Sequence, residues 1–462
     1  MSEPRARIVI IGGGPGGYEA ALVAAQLGAQ VTVVDRDGLG GACVLTDCVP
    51  SKTLIATSGM MAALAGSAAL GLRYGGDDAT AAVDAPRLYQ RVQSLARAQS
   101  ADVAARLAAE GVEVRPGPGR LTGPHTVAVG EDEISADVVL VATGARPRVL
   151  PGAVADGQRI LTFRQLYDLP ELPAELIVVG SGVTGAEFAS AYQALGSQVT
   201  LVSSRDRVLP QEDVDAAMVV EDVFRRRGMT VLARSRAASA KVSGDGVLVT
   251  LEDGRTVRGS HCLLTVGMVP NTGGLGLEEA RITLDKGGFI PVDRVSRTSA
   301  PGVYAAGDCT GVQMLASVAA MQGRIAMWHA LGEAVQPLRL SHVAMTVFTE
   351  PEIAAVGVSQ RAVEAGEAGA HVVKLPLATN ARAKMQGFRD GFVKLFARRN
   401  SGIVLGGVVV APRASELILG VSLAVEQHLT VDEIAHTFAV YPSLSGSITE
   451  AARRLMQPTE PD

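Results

Sequence analysis

Two stretches of this chain share one pattern of apolar and polar positions. Ile8 to Ile11 and Ile177 to Val179 are β-branched apolar runs, each entering a glycine-rich turn that opens an alanine-rich segment of helical character. The whole segment from Ile8 to Asp37 aligns without a gap on Leu176 to Arg205, a constant offset of 168 positions (176 minus 8). Gly12, Gly14 and Gly17 fall on Gly180, Gly182 and Gly185, Glu19 falls on Glu187, and Leu27-Gly28 falls on Leu195-Gly196. A strand, tight turn, helix and second strand are therefore predicted twice, which is the Rossmann-type nucleotide-binding unit.

The three glycines have separate tasks in such a unit. The first permits the turn, the second lets backbone approach a pyrophosphate, and the third lets helix pack on strand, with the helix N-terminus facing the phosphates. Pro15 and Gly16 in the first turn and Val183 in the second complete the candidate phosphate contacts. An acid at the end of the second strand binds ribose hydroxyls in this fold. Asp35 occupies that place in the first copy, but Ser203 stands there in the second, followed by Ser204, Arg205 and Arg207. Losing the acid removes repulsion against a 2'-phosphate, and nearby arginines can neutralise one. The first site is read as FAD and the second as NADPH in preference to NADH; the competing reading leaves these arginines as solvated loop charges.

A second marker follows each unit, Val141-Ala142-Thr143-Gly144 and Thr265-Val266-Gly267, and the chain then runs to Gly302-Val303-Tyr304-Ala305-Ala306-Gly307-Asp308. From Pro337 onward no third glycine fingerprint occurs, and Val/Ile-rich segments alternate with helical ones such as Ala414 to Gln427. The expected fold is α/β, with two Rossmann-like nucleotide-binding domains and a C-terminal α+β domain. The expected division is an FAD-binding part over 1–150, an NAD(P)-binding domain over 151–272, a second FAD-binding part over 273–336 and a last domain over 337–462.

Composition narrows the function classes. The 462 residues are 47% hydrophobic with 52 glycines, which suits an enzyme rich in strand-to-helix turns. A net charge of -5, without a long basic run, gives no electrostatic reason to bind nucleic acid or an anionic membrane surface. No apolar stretch is read as reaching the ~18 residues that span a bilayer. Arg5 and Arg7 precede an apolar run that stops at Gly12, a first strand in preference to a signal peptide. Four cysteines, Cys43, Cys48, Cys262 and Cys309, are too few for a secreted disulfide scaffold. A cytoplasmic protein without a metal site or an integral membrane segment is expected.

Cys43 and Cys48 lie in the string Gly40-Gly41-Ala42-Cys43-Val44-Leu45-Thr46-Asp47-Cys48-Val49-Pro50-Ser51-Lys52. Positions five apart in an ideal helix have Cα atoms about 8.6 Å apart, beyond the ~7 Å reach of a disulfide, so a bond between them requires a distorted turn. Spacing alone leaves two readings open, a catalytic redox pair or two buried thiols.

The string resembles the redox-disulfide motif of the pyridine nucleotide-disulfide oxidoreductase family, which includes glutathione reductase, lipoamide dehydrogenase and mercuric reductase. The resemblance covers residues from about 7 to 455. It implies that Cys48 lies against the flavin, that Cys43 attacks a disulfide substrate, and that Lys52 sits near the flavin and pairs with Glu187. It also places Gly41 and Ala42 beside the cofactor, Asp308 on the ribityl chain, and Met314-Leu315-Ala316 at the flavin. Val347-Phe348-Thr349-Glu350-Pro351-Glu352 resembles the opening of the family's dimerisation domain, which implies a homodimer.

The C-terminus departs from that pattern. The family's catalytic histidine and the glutamate five residues later are replaced by Tyr441 and Gly446. Thiol-disulfide exchange near neutral pH needs a proton donor and a base, and tyrosine, with a reference pKa of about 10, is a poor base. Asp47 beside Cys48 opposes thiolate formation as well. Together with Asn380-Ala381-Arg382-Ala383-Lys384 and Ser445-Gly446-Ser447-Ile448, this resembles an actinobacterial branch of NAD(P)H:quinone reductases. The expected function is hydride transfer from NAD(P)H through FAD to a quinone or another small-molecule acceptor. The alternatives are a dihydrolipoyl dehydrogenase-type disulfide reductase using Cys43 and Cys48, and a flavoprotein with only a binding role.

Overall fold

The computed structural model describes residues 5–72 and 81–456. The chain divides into two compact units, one formed by residues 1–53, 89–148 and 266–339, the other by 54–88, 149–265 and 340–462.

The first unit is built on a five-stranded parallel sheet in the order Val303–Ala305, Val138–Val141, Arg7–Ile11, Gln30–Asp35, Glu113–Pro116. Helix Pro15–Gln26 follows the first strand, with Pro15 at its first turn and Gly14 as its extended N-cap. Its alanines allow close approach to helix Ala316–Ala330, and Gly323 makes that possible: a Cβ there would meet the carbonyl oxygen of Gly16 at 2.1 Å. Ile8, Ile10, Val33 and Leu140 form the core on this side of the sheet. Each such fully buried aliphatic side chain stabilises by about 1.5–3 kcal/mol.

The second unit repeats the arrangement. Its parallel sheet runs Thr230–Leu232, Gln198–Val202, Glu175–Val179, His261–Leu264, Ile160–Leu161. Even the register is repeated, since Arg7 pairs with Gln30 and Glu175 with Gln198, each member displaced by the same 168 positions. The C-terminal part of this unit is a five-stranded antiparallel sheet in the order Met345–Val347, Glu352–Gly357, Val404–Ala411, Phe392–Arg398, Ala370–Pro376. Helices Ala414–Glu426 and Gly446–Leu455 bury Val421, Ala424, Ile448 and Ala451 in a core with Val393, Leu395 and Val409. The two Rossmann-like sheets and the C-terminal α+β part are the architecture expected from the sequence.

One expectation is corrected. The stretch Gly41–Leu70 is, by length and composition, long and apolar enough to cross a membrane. Asp47 and Lys52 interrupt the stretch, so no uninterrupted apolar run of that length occurs in it. It is two helices, Gly41–Leu45 and Cys48–Gly66, and Val44, Ser51, Thr53 and Leu54 within it are buried in protein.

Candidate functional site

In the first unit the glycine turn and Asp35 are joined directly. Asp35 Oδ2 accepts the backbone N–H of Gly13 at 2.6 Å, and Oδ1 accepts those of Asp37 and Gly38 at 2.9 and 2.5 Å. The ring of donors holds the carboxylate at the end of its strand. Gly12 has φ +108, and a Cβ there would lie 2.3 Å from the carbonyl oxygen of Ala142, so no other residue fits. A Cβ on Gly14, by contrast, would meet nothing within 4 Å. That open space beside a helix N-terminus is where a pyrophosphate fits against backbone. Gly41 closes over the turn, its Cβ position only 2.8 Å from the Cα of Gly14, and Ala42 next to it is exposed.

Gly12, Asp35, Thr143, Arg146 and Asn271 line a cavity of about 390 Å³ next to this turn. Two of these lining residues, Arg146 and Asn271, were not anticipated. Asn271 donates to the carbonyl of Thr143 and accepts from Arg146, while Thr143 Oγ1 donates to the carbonyl of Asn271. The pairing spans 128 positions of sequence and no local pattern announces it. The second flavin turn is similarly held, Gly307 N–H donating to Gln322 Oε1 at 2.9 Å. Gln322 is buried in an otherwise apolar helix face, and that lone polar residue was the signal available in the sequence. Burial, with the charge of Asp47 second, pushes the Asp308 carboxyl up to about 6. Leu315 caps helix Ala316–Ala330, with Met314 before it partly exposed. A cradle open at Gly14, an adjoining cavity and a buried carboxyl fit a flavin dinucleotide.

The second turn, in the other unit, has the same geometry. Gly180 has φ +113 and packs on Thr265, Gly182 faces open space, and a Cβ on Gly185 would fall 1.9 Å from the carbonyl oxygen of Gly180. Val183 begins the helix that follows. Thr265 Oγ1 donates to the carbonyls of Val179 and Gly180, and Gly267 adopts positive φ just beyond the strand. The reading of Ser203 needs correction in one respect. Its side chain is fully buried, its hydroxyl 2.7 Å from that of Ser181 and accepting the N–H of Arg205. A small hydroxyl fits where the loop folds back on the turn, so Ser203 shapes the loop and presents no group to a ligand. Ser204 and Arg205 are the exposed members, while Arg207 is drawn to Asp206 and to the carbonyl of Pro210.

The cysteine string is distorted. The first short helix ends at Leu45, Thr46 leaves helical geometry at φ -136, and a new helix begins at Cys48. Both Cys43 and Cys48 are free thiols of intermediate exposure. A hydrogen bond from Cys48 lowers the pKa of Cys43, and that same bond, reinforced by burial and by the charge of Asp47, pushes Cys48 upward. Lys52 lies one turn further along the helix and lowers both thiols only as the last contribution. Glu187, 4% exposed in the other unit, accepts the backbone N–H of Phe348 at 2.9 Å and so anchors the segment that opens the C-terminal part. The remaining cysteines are buried, Cys262 pushed up to about 12 and Cys309 to about 11, both mainly by burial.

At the C-terminus Tyr441 is exposed, with Phe438 and Val440 beside it. A pocket of about 260 Å³ brings Tyr441, Ser443 and Gly446 together with Asn380, Arg382 and Glu450. Asn380 donates to the carbonyl of Ser443 and to Ser447 Oγ at 2.9 and 2.8 Å, so the two sequence segments noted above meet in space. Glu450 is the carboxylate of this pocket, and Arg453 foremost, with Arg454, holds its pKa down to about 2. It is engaged with arginines and does not orient a base.

Residues 6–323 match the pyridine nucleotide-disulphide oxidoreductase family, and residues 343–452 match that family's dimerisation domain. The chain belongs to this family. It is 60% identical to a protein of Mycobacterium tuberculosis named NAD(P)H dehydrogenase (quinone), over 97% of this chain and 94% of that one. It is similar in structure to LpdA from Mycobacterium tuberculosis, with a TM-score of 0.93 and 58% identity, covering 98% of this chain and all of the other. Family members named dihydrolipoyl dehydrogenase are more distant, that of Zymomonas mobilis being 34% identical over 96% of both chains. The family as a whole implies FAD and a nicotinamide coenzyme.

Proposed function

We propose that the protein is a homodimeric, FAD-dependent NAD(P)H:quinone oxidoreductase. The observation that carries this reading is the intact pair of nucleotide turns combined with Tyr441 and Gly446 at the positions of the family's acid-base dyad. The name of the mycobacterial relative supports it. The overall reaction is NAD(P)H plus quinone plus one proton giving NAD(P)⁺ plus hydroquinone, so that hydride and one solvent proton account for both added hydrogens.

Bound FAD supplies the two-electron relay between coenzyme and acceptor. In this reading Gly12, Gly14, Pro15, Gly16 and Gly17 receive its pyrophosphate, Asp35 its ribose, and Asp308 its ribityl chain. Gly180, Gly182 and Gly185 receive the coenzyme, and Arg205 favours the 2'-phosphate of NADPH. Lys52 orders the flavin side of the first site, and Cys43 and Cys48 remain thiols during turnover. Orientation of the reactants, which hydride transfer chiefly needs, is what these residues supply. We also propose the domain division at 150, 272 and 336, supported by strand Val303–Ala305 pairing with Val138–Val141 in one sheet. A cytoplasmic setting is supported by four free thiols.

A second reading, a disulfide reductase of the dihydrolipoyl type, is favoured by one observation, the break at Thr46 between the helix that carries Cys43 and the helix that begins at Cys48. Anaerobic reduction with NADPH followed by menadione or lipoamide separates the two. Rapid reoxidation by menadione with slow lipoamide turnover is expected; fast lipoamide turnover abolished by Cys43→Ser overturns the quinone reading.

A further inference from the structure

A buried charged cluster lies outside the residues discussed so far, within the second unit. Lys394 is 1% exposed, and its ammonium lies 3.0 and 2.8 Å from the two carboxylate oxygens of Asp213 and 2.7 Å from Asp215. Lys374, its partner across the antiparallel sheet, reaches Asp215 at 3.0 Å. Both ammonium groups stand near the ring of Phe392, 5.6 and 5.5 Å from its centre. Two lysines paired across strands repel, and a buried ammonium without a counter-charge is costly, so the two aspartates complete a set that persists only as a set.

The aspartates are not placed at random. Asp213 is the N-cap of helix Val214–Arg226, accepting the N–H of Ala216 at 3.2 Å, and Asp215 lies in its first turn. Immediately before this helix runs the loop that carries Ser204, Arg205 and Arg207. Its near end is tied to the glycine turn, Ser203 Oγ lying 2.7 Å from Ser181 Oγ. Midway, Leu209 N–H donates to the Ser181 carbonyl at 2.8 Å, and Val208 N–H to Glu221 of the same helix at 3.0 Å. The loop is thus pinned to the coenzyme turn on one side and clamped by Lys394 on the other.

We propose that Lys394 is a positioning residue for the coenzyme, holding the 203–213 loop through Asp213 so that Arg205 stands ready for the phosphate end of NADPH. The inference rests on reading the Gly180–Gly185 turn as the coenzyme site. A loop ordered beforehand spares the coenzyme the cost of ordering it, so the clamp acts on coenzyme affinity and not on the chemical step.

The test compares Lys394→Met, Lys374→Met and Arg205→Ala holoenzymes, measuring KM for NADPH and NADH, kcat at saturating coenzyme, and FAD content. Lys394→Met is expected to raise KM for NADPH roughly three- to tenfold, with a smaller rise for NADH and with kcat and FAD content little changed. Lys374→Met, which removes only the half-exposed partner, is expected to act in the same direction by roughly twofold and carries the test if Lys394→Met does not fold. Equal rises for both coenzymes, or an unchanged NADPH KM with only a lower melting temperature, would reduce the cluster to a structural brace and overturn the proposal. If Arg205→Ala leaves the NADPH KM unchanged, it is the site assignment that fails, an outcome distinct from failure of the clamp alone.

Discussion

The carboxylate of Asp35 accepts the backbone N–H of Gly13 at 2.6 Å. One side chain therefore shapes the phosphate turn and, in the proposed function, also binds the adenosine ribose. Asp35→Ala removes both contributions, and a hydrogen bond to a charged group contributes about 1.5–3 kcal/mol. FAD is expected to be held at least ten- to a hundredfold more weakly, measured by flavin fluorescence on dilution. Undiminished retention would move the ribose contact to another residue.

Arg205 is exposed in the loop before helix Val214–Arg226, whereas Arg207 is already engaged by Asp206 and Pro210. Arg205→Ala should raise the KM for NADPH by roughly tenfold, the value of one charge-assisted contact, and that for NADH far less. Arg207→Ala should have the smaller effect of the two. A wild type that strongly prefers NADH would sink the assignment.

With the Cys48 thiol pushed upward and no dyad present, the thiols are expected to be dispensable for quinone reduction. Serine at both Cys43 and Cys48 should leave most menadione turnover intact, read as steady-state NADPH oxidation. A Cβ at Gly446 would meet only Ser443 Oγ, at 3.5 Å, so a side chain there is accommodated. Tyr441→His with Gly446→Glu should therefore fold and gain lipoamide turnover, towards the roughly 10²- to 10⁴-fold that acid-base catalysis contributes.

Glu212 lies 8% exposed at the end of the coenzyme loop, and burial, with the charge of Asp213 second, pushes its carboxyl up to about 7. Because the folded protein binds this proton more tightly than the unfolded chain, whose value is 4.5, the stabilisation is complete below 4.5 and is lost as pH rises towards 7. The loss is on the order of 3 kcal/mol. Glu212→Gln should match the wild type near pH 4.5 and exceed its melting temperature at pH 8. Parallel pH profiles for the two proteins would refute this.

The duplicated unit was legible from residues alone because the Rossmann turn is a local device. Gly17 and Gly185 are required by the carbonyl five positions before each, and Gly12 and Gly180 by the positive φ of the turn itself, so the pattern of glycines and β-branched runs announces the turn and its register. The replacement of the dyad was legible for the same reason, since it is a matter of which residue stands where. Tertiary structure alone decided what those residues touch. The hydroxyl of Ser203 is buried against Ser181, and Asn271 meets Thr143 only because strands Ala145–Pro147 and Met268–Pro270 pair, bringing together positions 128 apart. Lys394 is an unremarkable strand lysine in sequence, and only packing against the N-terminus of helix Val214–Arg226 gives its charge two partners. Local backbone geometry leaves a periodic trace along the chain; pairing between distant side chains depends on how surfaces meet, and leaves none.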